Sequence, residues 1–293
     1  MSTDYNNWAW LYNQTMGPEY SQPQLDFLRS HFLPHLPQGA KVLDLCCGTG
    51  QLISPLLAAG YQVTGLDSSD EMLTYAHKNA PAAEYICADA CTFNLSQPVD
   101  GIFSTSASLN HIMTMEDLAQ VFSQSYANLS SGGLLAFDLN HPQQLARWWH
   151  SQPTEGEIDA DYAWMITPNY NSAASEGDFT VTIYQAPQSA NGAITSWHSA
   201  IRQRLYQLLS RPRFIGLRLK LIQNFHWLEP SWVKKELVYP VKGHNLEAVK
   251  QALQVAGFAE VSMLTIDGSA EIDSNHSAHF IAKKPRQKED SLR

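Results

Sequence analysis

The sequence has few charged residues and lacks the patterns that mark an exported or membrane-spanning protein. Only 16% of its 293 residues are charged, below the roughly 25% typical of soluble domains. The first basic residue is Arg29, so the start of the chain has neither the positive region of a secretory signal nor an Arg-rich transit helix. No apolar run approaches the roughly 18 residues that cross a bilayer. We therefore expect a cytoplasmic protein that does not bind membranes.

Metal-binding and disulfide patterns are also missing. The four cysteines, Cys46, Cys47, Cys87 and Cys91, form no CxxC pair and no zinc-ligand spacing. The histidines form no HExxH motif. The sequence therefore predicts a reduced protein interior and no metal site.

The net charge disfavours one class of partner. With 28 acidic and 19 basic residues, the chain carries a formal charge of −9, which repels phosphate backbones and disfavours nonspecific nucleic-acid binding. The charge is uneven, because residues 1–196 hold 4 bases and 19 acids whereas residues 197–242 hold 9 bases and 2 acids. We predict no nucleic-acid partner. The basic segment could still bind an anionic small molecule.

The chain from Lys41 to Leu139 alternates short apolar runs with helical stretches, the pattern of a parallel sheet built from βαβ units. Five strands are predicted, at Lys41–Cys46, Tyr61–Leu66, Glu84–Cys87, Asp100–Ser104 and Leu134–Asp138. Gly60 marks the end of a helix over 51–59. Ser68-x-x-Glu71 and Thr114-x-x-Asp117 mark the starts of two further helices.

The chain after residue 146 has a different pattern. Alternating β-prone segments occur at Ala163–Thr167, Phe179–Tyr184, Trp197–Leu208, Phe214–Leu221 and His226–Trp232. They predict an antiparallel sheet inserted after the fifth strand. A helix over 245–256 and strands over 261–266 and 278–282 then complete the first sheet. The predicted fold class is α/β, a mostly parallel seven-stranded sheet with helices on both faces plus an antiparallel β subdomain.

The basic residues of this segment occur in pairs separated by one residue: Arg202 and Arg204, Arg211 and Arg213, and Arg218 and Lys220. Residues i and i+2 of a strand point to the same face, so each pair is predicted to aim two charges in one direction. Such a face could hold an acidic substrate, be the solvated back of the sheet, or contact an acidic partner.

The most informative stretch is Asp44-Leu-Cys-Cys-Gly48-Thr-Gly50. A strand that enters a Gly-rich turn and then a helix presents backbone N–H groups and a positive helix end to a ligand. There is no GxxxxGK[ST] motif, and Ile53 stands at the third glycine of the dinucleotide fingerprint. Asp67, after the second strand, can accept hydrogen bonds from both hydroxyls of a ribose or interact with a helix N-terminus. Together these features predict an adenosine-like ligand without a diphosphate.

These residues resemble the class I S-adenosylmethionine-dependent methyltransferases. The resemblance rests on landmarks in the family's order: Asp44-x-x-x-Gly48-x-Gly50, Asp67-Ser-Ser-x-x-Met72, Ala88-Asp89-Ala90, Phe103 to His111, and Ser131-Gly132-Gly133. It implies a Rossmann-like domain that binds S-adenosyl-L-methionine. Asp67 would bind the ribose, Met72 would cover the adenine and Asp89 would bind its amino group. The full set of expected cofactor contacts is Tyr12, Tyr20, Asp44, Cys46, Gly48, Gly50, Asp67, Ser68, Met72, Asp89, Ala90, Ser104 and Thr105.

Two further stretches resemble the glycine N-methyltransferase and antibiotic sugar-amine N,N-dimethyltransferase groups. The loop Ser104–His111 carries a histidine as theirs does, which implies that His111 is a base or an orienting group for the acceptor. Its alternative role is to cap the loop or lie beneath the cofactor. The aromatic segment Trp8–Tyr20 resembles their lid, with Tyr12 as a second catalytic candidate, although Asn13 replaces the usual acid. It could equally be an aromatic helix against the sheet.

The resemblance leads to a domain assignment and a functional expectation. An N-terminal helical lid spans 1–36, the cofactor domain spans 37–145 and 243–285, an acceptor-binding insertion spans 146–242, and a tail spans 286–293. The expected activity is methyl transfer to a small molecule, at nitrogen rather than oxygen, by a monomer or homodimer. The alternatives are an RNA or protein methyltransferase, a non-catalytic cofactor-binding accessory protein, and use of the cofactor without methyl transfer.

Overall fold

The computed structural model of the chain describes residues 5–187, 204–206 and 208–286. These residues belong to two compact units, one comprising residues 1–147 and 242–293 and the other residues 148–241. Within the part described, no helix is both long and apolar enough to cross a membrane.

The helices of the described residues, in chain order, are α1 (Ala9–Gln14), α2 (Met16–His31), α3 (Ile53–Ala58), α4 (Asp70–Asn79), α5 (Met115–Asn128), α6 (Pro142–Trp148), α7 (Ile215–Gln223), α8 (Phe225–Leu228) and α9 (Leu246–Ala256). Short 3-10 helices lie at Tyr5–Trp8, Leu33–His35, Ser108–His111 and Pro212–Phe214. The strands are β1 (Lys41–Leu45), β2 (Gln62–Asp67), β3 (Glu84–Cys87), β4 (Val99–Ser104), β5 (Leu129–Leu139), β6 (Glu155–Ile158), β7 (Tyr162–Asn171), β8 (Glu176–Gln185), β9 (Val233–Lys242), β10 (Glu260–Leu264) and β11 (Ala278–Lys283).

The first unit is built on a sheet of seven described strands in the order β10-β11-β5-β4-β1-β2-β3. β1 to β5 pair in parallel, and β11 runs antiparallel to β5 and β10. This is the predicted mostly parallel sheet. Parallel pairing brings the carboxyl ends of β1 to β5 to one edge, where open α/β sheets bind ligands.

Both faces of this sheet are covered, which explains why its strands read as nearly continuous apolar runs. In β1, Val42 lies in the core that α2 and α3 help to form, whereas Leu43 and Leu45 lie in the core that α5 and α9 help to form. All three side chains are buried. The alternation of side chains along a strand therefore supplies both cores from one short segment.

The predicted end of α3 and the predicted start of α5 agree with the structure, whereas α3 begins at Ile53 rather than at residue 51 and the start of α4 also differs. Gly60 has a φ of +93° just after α3, and the Thr114 hydroxyl accepts a hydrogen bond from the Asp117 N–H at 3.1 Å. At α4, Ser69 and not Ser68 is the cap, because its hydroxyl accepts from the Met72 N–H at 3.1 Å. The start of the helix is shifted by one residue because the Asp67 carboxylate holds the Ser69 N–H at 2.9 Å in an Asx turn.

The second unit contains the predicted antiparallel sheet, in the order β6-β7-β8-β9, with β7 antiparallel to both β6 and β8. The prediction of strands at Phe214–Leu221 and His226–Trp232 is wrong, because α7 and α8 occupy most of these residues. The predicted strand Trp197–Leu208 falls largely outside the described residues, although residues 204–206 and 208 are helical.

The physical reason for the error lies in α7. Its apolar residues alternate, which favours a strand, but Leu, Arg and Lys are also strong helix formers, and a short apolar run fits either structure. The buried side chains are Arg218 and Ile222, whose i, i+4 spacing defines one helical face. Ile215 and Leu217, which the alternation would have placed in the core, are exposed.

The same error affects the basic pairs. Arg218 is buried and donates from Nη1 to the Leu209 carbonyl at 2.9 Å, whereas Lys220 is exposed. The two charges therefore do not share a face. Arg211 precedes the 3-10 helix Pro212–Phe214 and Arg213 lies within it, so neither lies on a strand. Arg202 lies outside the described residues.

Candidate functional site

The loop after β1 carries three residues with left-handed backbone. Cys46, Gly48 and Gly50 have φ values of +64°, +53° and +72°. Residues that carry a Cβ rarely adopt this backbone conformation, so Cys46 occupies a position suited to glycine. A Cβ at Gly50 would lie 3.0 Å from the Ala76 Cβ, so glycine here permits close contact with α4. A Cβ at Gly48 would instead lie 3.7 Å from Tyr12 Cε1.

The Asp67 carboxylate joins this loop to the start of α4. Oδ2 accepts from the Gly48 N–H at 2.8 Å and Oδ1 accepts from the Ser69 N–H at 2.9 Å. Burial raises the pKa of Asp67, and the backbone hydrogen bonds from Ser69, Gly48 and Ser68 oppose that rise. A half-buried carboxylate that accepts the two hydrogen bonds of 2.8 and 2.9 Å keeps further acceptor positions for a ligand.

Two more ionisable groups lie close to Asp67. Burial, followed by the charges of Asp67 and Asp44, raises the pKa of Tyr12 to about 12. Burial and the Asp67 charge raise the pKa of Asp44 well above its usual range. Tyr12 therefore keeps its phenolic proton at neutral pH and can act as a hydrogen-bond donor beside two acidic groups.

The N-terminal segment is held against the site by its asparagines. Asn6 Oδ1 accepts from the Ser69 hydroxyl at 2.6 Å. Asn13 Oδ1 accepts from Asn79 Nδ2 at 2.6 Å and from Gln51 Nε2 at 3.2 Å. The aromatic rings of Trp8 and Tyr12 meet edge to face at 5.6 Å.

A further group of predicted cofactor contacts lies at or after the ends of β2 and β3. Met72 is buried on α4, and Ala90 is buried after β3. Asp89 is exposed, and its Oδ1 accepts from the Cys91 N–H at 2.8 Å. Ser68 is exposed at the end of β2, and Tyr20 is half-buried on α2.

The loop after β4 carries the candidate acceptor residues. Ser104 is buried at the end of β4, Thr105 is half-buried, and Ser106 and Ala107 have φ values of +60° and +56°. Two consecutive left-handed residues other than glycine are costly and are found where the surrounding structure enforces them. The loop ends in the 3-10 turn that carries His111.

His111 contacts a tyrosine that the sequence did not single out. The Tyr5 hydroxyl and His111 Nε2 share a hydrogen bond of 2.6 Å, and the two rings meet edge to face at 5.4 Å. A short contact of this kind restricts the orientation of the imidazole ring. Tyr5 precedes the regular helices and follows no recognisable spacing, so only the tertiary structure reveals this pair.

Asn110 ties the same loop to the rest of the unit. It is buried; its Nδ2 donates to the Asn140 and Lys242 carbonyls at 2.8 and 2.6 Å, and its Oδ1 accepts from the Asn140 N–H at 2.9 Å. These three bonds join the loop after β4 to the backbone of Asn140 and Lys242, which belong to the same unit.

Replacing Asn110 with alanine is expected to lower the free energy of unfolding by about 3 kcal/mol, since each buried backbone group left without a partner costs about 1–3 kcal/mol. Urea unfolding followed by circular dichroism measures the change. Ser108→Ala is the matched control, because the Ser108 hydroxyl makes a bond of 2.8 Å to Thr105 within the loop. Equal destabilisation by the two variants would contradict the prediction.

The sequence also did not single out Asp138, which lies near the end of β5. Its side chain is only 3% exposed, and its Oδ1 and Oδ2 lie 3.1 and 3.0 Å from the Ala107 N–H. Burial raises the pKa of Asp138, while the charge of His279 and backbone bonds from Ala107 and Ser106 oppose the rise. An acid at the carboxyl end of a parallel strand was a usable signal, because Asp67 follows the same rule.

The predicted site residues thus come from the ends of β1 to β4 and from the N-terminal segment. Among the residues that the structure describes, no group of three His, Cys, Asp or Glu side chains is arranged to hold a metal ion.

Comparison with known proteins identifies relatives by sequence. A family model described as a methyltransferase domain matches residues 42–133. An uncharacterised methyltransferase from Synechocystis is 33% identical over 159 residues, which cover 52% of this chain and 74% of that protein. A trans-aconitate 2-methyltransferase from Klebsiella pneumoniae is 30% identical over 198 residues, which cover 64% of this chain and 76% of that protein.

A more distant relative is the dTDP-3-amino-3,4,6-trideoxy-alpha-D-glucopyranose N,N-dimethyltransferase of Streptomyces venezuelae. It is 26% identical over 126 residues, covering 43% of this chain and 50% of that protein. Across these three relatives, the chain spans between half and three quarters of their length.

The fold also matches solved structures. An S-adenosylmethionine-dependent methyltransferase from Clostridium acetobutylicum superposes with a TM-score of 0.68 at 16% identity, covering 96% of this chain and 99% of that one. At this identity the match concerns the fold, which is the predicted Rossmann-like sheet with an additional antiparallel sheet.

Proposed function

The chain belongs to the S-adenosylmethionine-dependent methyltransferases, and on that premise we propose that it methylates an amine nitrogen of a small molecule, with His111 accepting the proton. The observation that carries this proposal is the hydrogen bond between Tyr5 and His111 at the loop after β4. A histidine oriented in this way can accept a proton near neutral pH.

The residues at the edge of the sheet fit the cofactor that the family uses. Asp67, held by two backbone N–H groups, would accept hydrogen bonds from the ribose hydroxyls. Met72 and Ala90 would cover the adenine, and Asp89 would accept from its amino group. The Tyr12 hydroxyl, which keeps its proton because its pKa is about 12, would donate to the methionine part.

When bound, S-adenosylmethionine supplies an electrophilic methyl carbon that is displaced in line by a nucleophile. The protein must therefore hold the acceptor near attack distance and direction. An amine acceptor also carries a proton that must leave. His111 Nε2 would take up that proton directly or through the Tyr5 hydroxyl, while Asn110 keeps the turn that carries His111 in place.

The relatives support a small-molecule acceptor. The Streptomyces venezuelae protein is named for the methylation of an amino sugar nucleotide. Proteins with such names act on a discrete metabolite rather than on a polymer, which agrees with the acidic net charge of this chain. The amine class follows from combining this likeness with a histidine in the acceptor loop.

A polycarboxylate acceptor is a second candidate, favoured by the relative named trans-aconitate 2-methyltransferase, of which this chain covers 76%. A carboxylate at neutral pH has no proton to remove before methylation. The two candidates therefore differ in their need for His111. Loss of that side chain would slow an amine methyltransferase strongly and a carboxylate methyltransferase much less.

The direct experiment incubates the protein with methyl-labelled S-adenosylmethionine and a bacterial metabolite extract, followed by mass identification of the labelled product. Purified amino-sugar nucleotides and trans-aconitate form two defined arms. A labelled amine supports the proposal, and a labelled carboxylate ester supports the second candidate. Cofactor binding with no labelled small molecule in any arm would overturn both.

The affinity for S-adenosylhomocysteine is expected to fall on acidification, because binding of the ribose needs the ionised Asp67 carboxylate. Burial raises the Asp67 pKa, so the carboxylate gains its proton at a higher pH than an ordinary aspartic acid does. Calorimetric titrations from pH 8 to pH 5 measure the effect.

Asp44, whose pKa is also raised by burial, needs a separate control. Asp44→Asn should retain the pH dependence, whereas Asp67→Asn should bind weakly at every pH. A wild-type affinity that does not change with pH would contradict the prediction.

A further inference from the structure

The feature of interest is the anchoring of the acceptor loop on the end of β5. β4 and β5 pair in register up to Ser104 and Phe137, and Asp138 is the next residue of β5. The loop that leaves β4 turns back over this strand end, so that the Ala107 N–H approaches both carboxyl oxygens of Asp138 at 3.1 and 3.0 Å. The Ser106 backbone also lowers the pKa of this carboxyl group, against the rise caused by burial.

The backbone of the Ser106–Ala107 turn is strained, and the Asp138 carboxyl group is its hydrogen-bond partner. Ser106 and Ala107 have φ values of +60° and +56°, a conformation that persists in non-glycine residues only where the surrounding structure holds it. Asp138 supplies an acceptor to the Ala107 N–H from within the protein. The group is 3% exposed, so water does not compete for the donors.

The partner strand confirms that this side chain has a fixed place. His279 of β11 lies directly opposite Asp138 in the antiparallel register and is 1% exposed. It in turn contacts Gln24 Oε1 from Nε2 at 3.3 Å and lies against the Phe27 ring at 4.2 Å. The carboxyl group is therefore part of the rigid sheet and not of the loop that it holds.

We propose that Asp138 is a positioning residue for methyl transfer: it holds the Ser106–Ala107 turn in its left-handed conformation and thereby places His111 against Tyr5. The proposal depends on the function proposed above only for its catalytic consequence. The turn begins two residues after the end of β4, and His111 lies four residues beyond Ala107. A displacement of the turn therefore shifts the imidazole.

Asp138→Asn tests the proposal, because the amide keeps the shape of the side chain but replaces one acceptor oxygen with an NH₂ donor that faces backbone N–H groups. Amides of residues 104–111 are expected to exchange with deuterium at least about tenfold faster than in the wild type. The ¹⁵N signal of His111 Nε2 should move to its position in Tyr5→Phe, which lacks the hydroxyl of the pair. Label transfer from S-adenosylmethionine into the metabolite extract should fall about 100-fold, the usual consequence of misplacing a reacting group by about 1 Å.

Asp100→Asn is the matched control. The Asp100 carboxylate also accepts from a backbone N–H, that of Lys41 at 2.9 Å, but near the opposite end of β4. This variant should leave the loop exchange, the His111 signal and the label transfer as in the wild type. If Asp138→Asn and Asp100→Asn changed these three measurements alike, the role of the carboxylate would be purely structural. That result would overturn the proposal.

Two further measurements keep the test decisive. In the wild type, the Ala107 amide should exchange slowly even though it lies in a loop; exchange at the rate of an unstructured amide would overturn the proposal without any variant. S-adenosylhomocysteine affinity, measured by calorimetry, should change less than about threefold in Asp138→Asn. If the wild type failed to bind S-adenosylhomocysteine, the proposed function would fail, whereas the exchange and ¹⁵N results would still decide the role of Asp138.

Discussion

Asp67→Ala is expected to weaken binding of S-adenosylmethionine about 1,000-fold. The carboxylate would accept two hydrogen bonds from the ribose, and bonds to charged groups contribute about 1.5–3 kcal/mol each. A loss of about 4 kcal/mol corresponds to this factor, because every 1.4 kcal/mol is tenfold in affinity. The substitution also releases the Gly48 and Ser69 N–H groups, which the carboxylate holds at 2.8 and 2.9 Å. Calorimetry on the purified protein measures the change.

Asp273→Ala provides a matched control for this result. The Asp273 carboxylate likewise accepts from two backbone N–H groups, those of Asn275 and His276 at 2.8 and 3.0 Å. It lies in the loop before β11, away from the ends of β1 and β2. This variant should retain the wild-type affinity for the cofactor. Wild-type affinity in Asp67→Ala, with the fold shown intact by circular dichroism, would contradict the assignment of the ribose site.

His111→Ala is expected to reduce turnover of an amine acceptor about 1,000-fold while leaving the affinity for the cofactor within about threefold. General base catalysis by a positioned side chain contributes roughly 10² to 10⁴ in rate. The substitution removes both the proton acceptor and the partner of Tyr5. Initial rates at saturating concentrations of cofactor and acceptor separate turnover from binding.

Tyr5→Phe serves as the graded comparison. It preserves the ring that lies 5.4 Å from His111 and 5.7 Å from Trp8 but removes the hydroxyl. A loss of turnover that is clearly smaller than in His111→Ala is expected, because the imidazole remains to accept the proton. Near wild-type turnover in His111→Ala with an amine acceptor would show that His111 only caps the loop. The same result with trans-aconitate would instead support the polycarboxylate candidate.

The cofactor-binding residues could be predicted from the sequence, because they directly follow the strands that determine their positions. Asp67 ends β2, and the Gly48 turn follows β1 directly. A parallel sheet brings such strand ends to one edge without further information. The family resemblance drawn from these landmarks is confirmed by two relatives of 33% and 30% identity, of whose length this chain covers 74% and 76%.

Three features could not be predicted in the same way. Tyr5 meets His111 across 106 positions of the chain, a contact that no local spacing encodes. Gly50 matches a ligand-binding motif, yet its missing side chain accommodates Ala76 of α4. In α7, alternating apolar residues were wrongly interpreted as a strand, because the period of a short run does not separate strand from helix.

The sequence by itself determined the family, the parallel sheet and the residues at the ends of its first strands, because strand periodicity and Gly-rich turns are local properties of the chain. Only the tertiary structure decided that Tyr5 meets His111, that Asn110 bonds to the backbone of Asn140 and Lys242, and that the Asp138 carboxyl group meets the Ala107 N–H. Each of these depends on side chains that are brought together by packing between distant segments. Contacts of that kind are set by the three-dimensional arrangement of the whole unit and leave no regular spacing in the sequence.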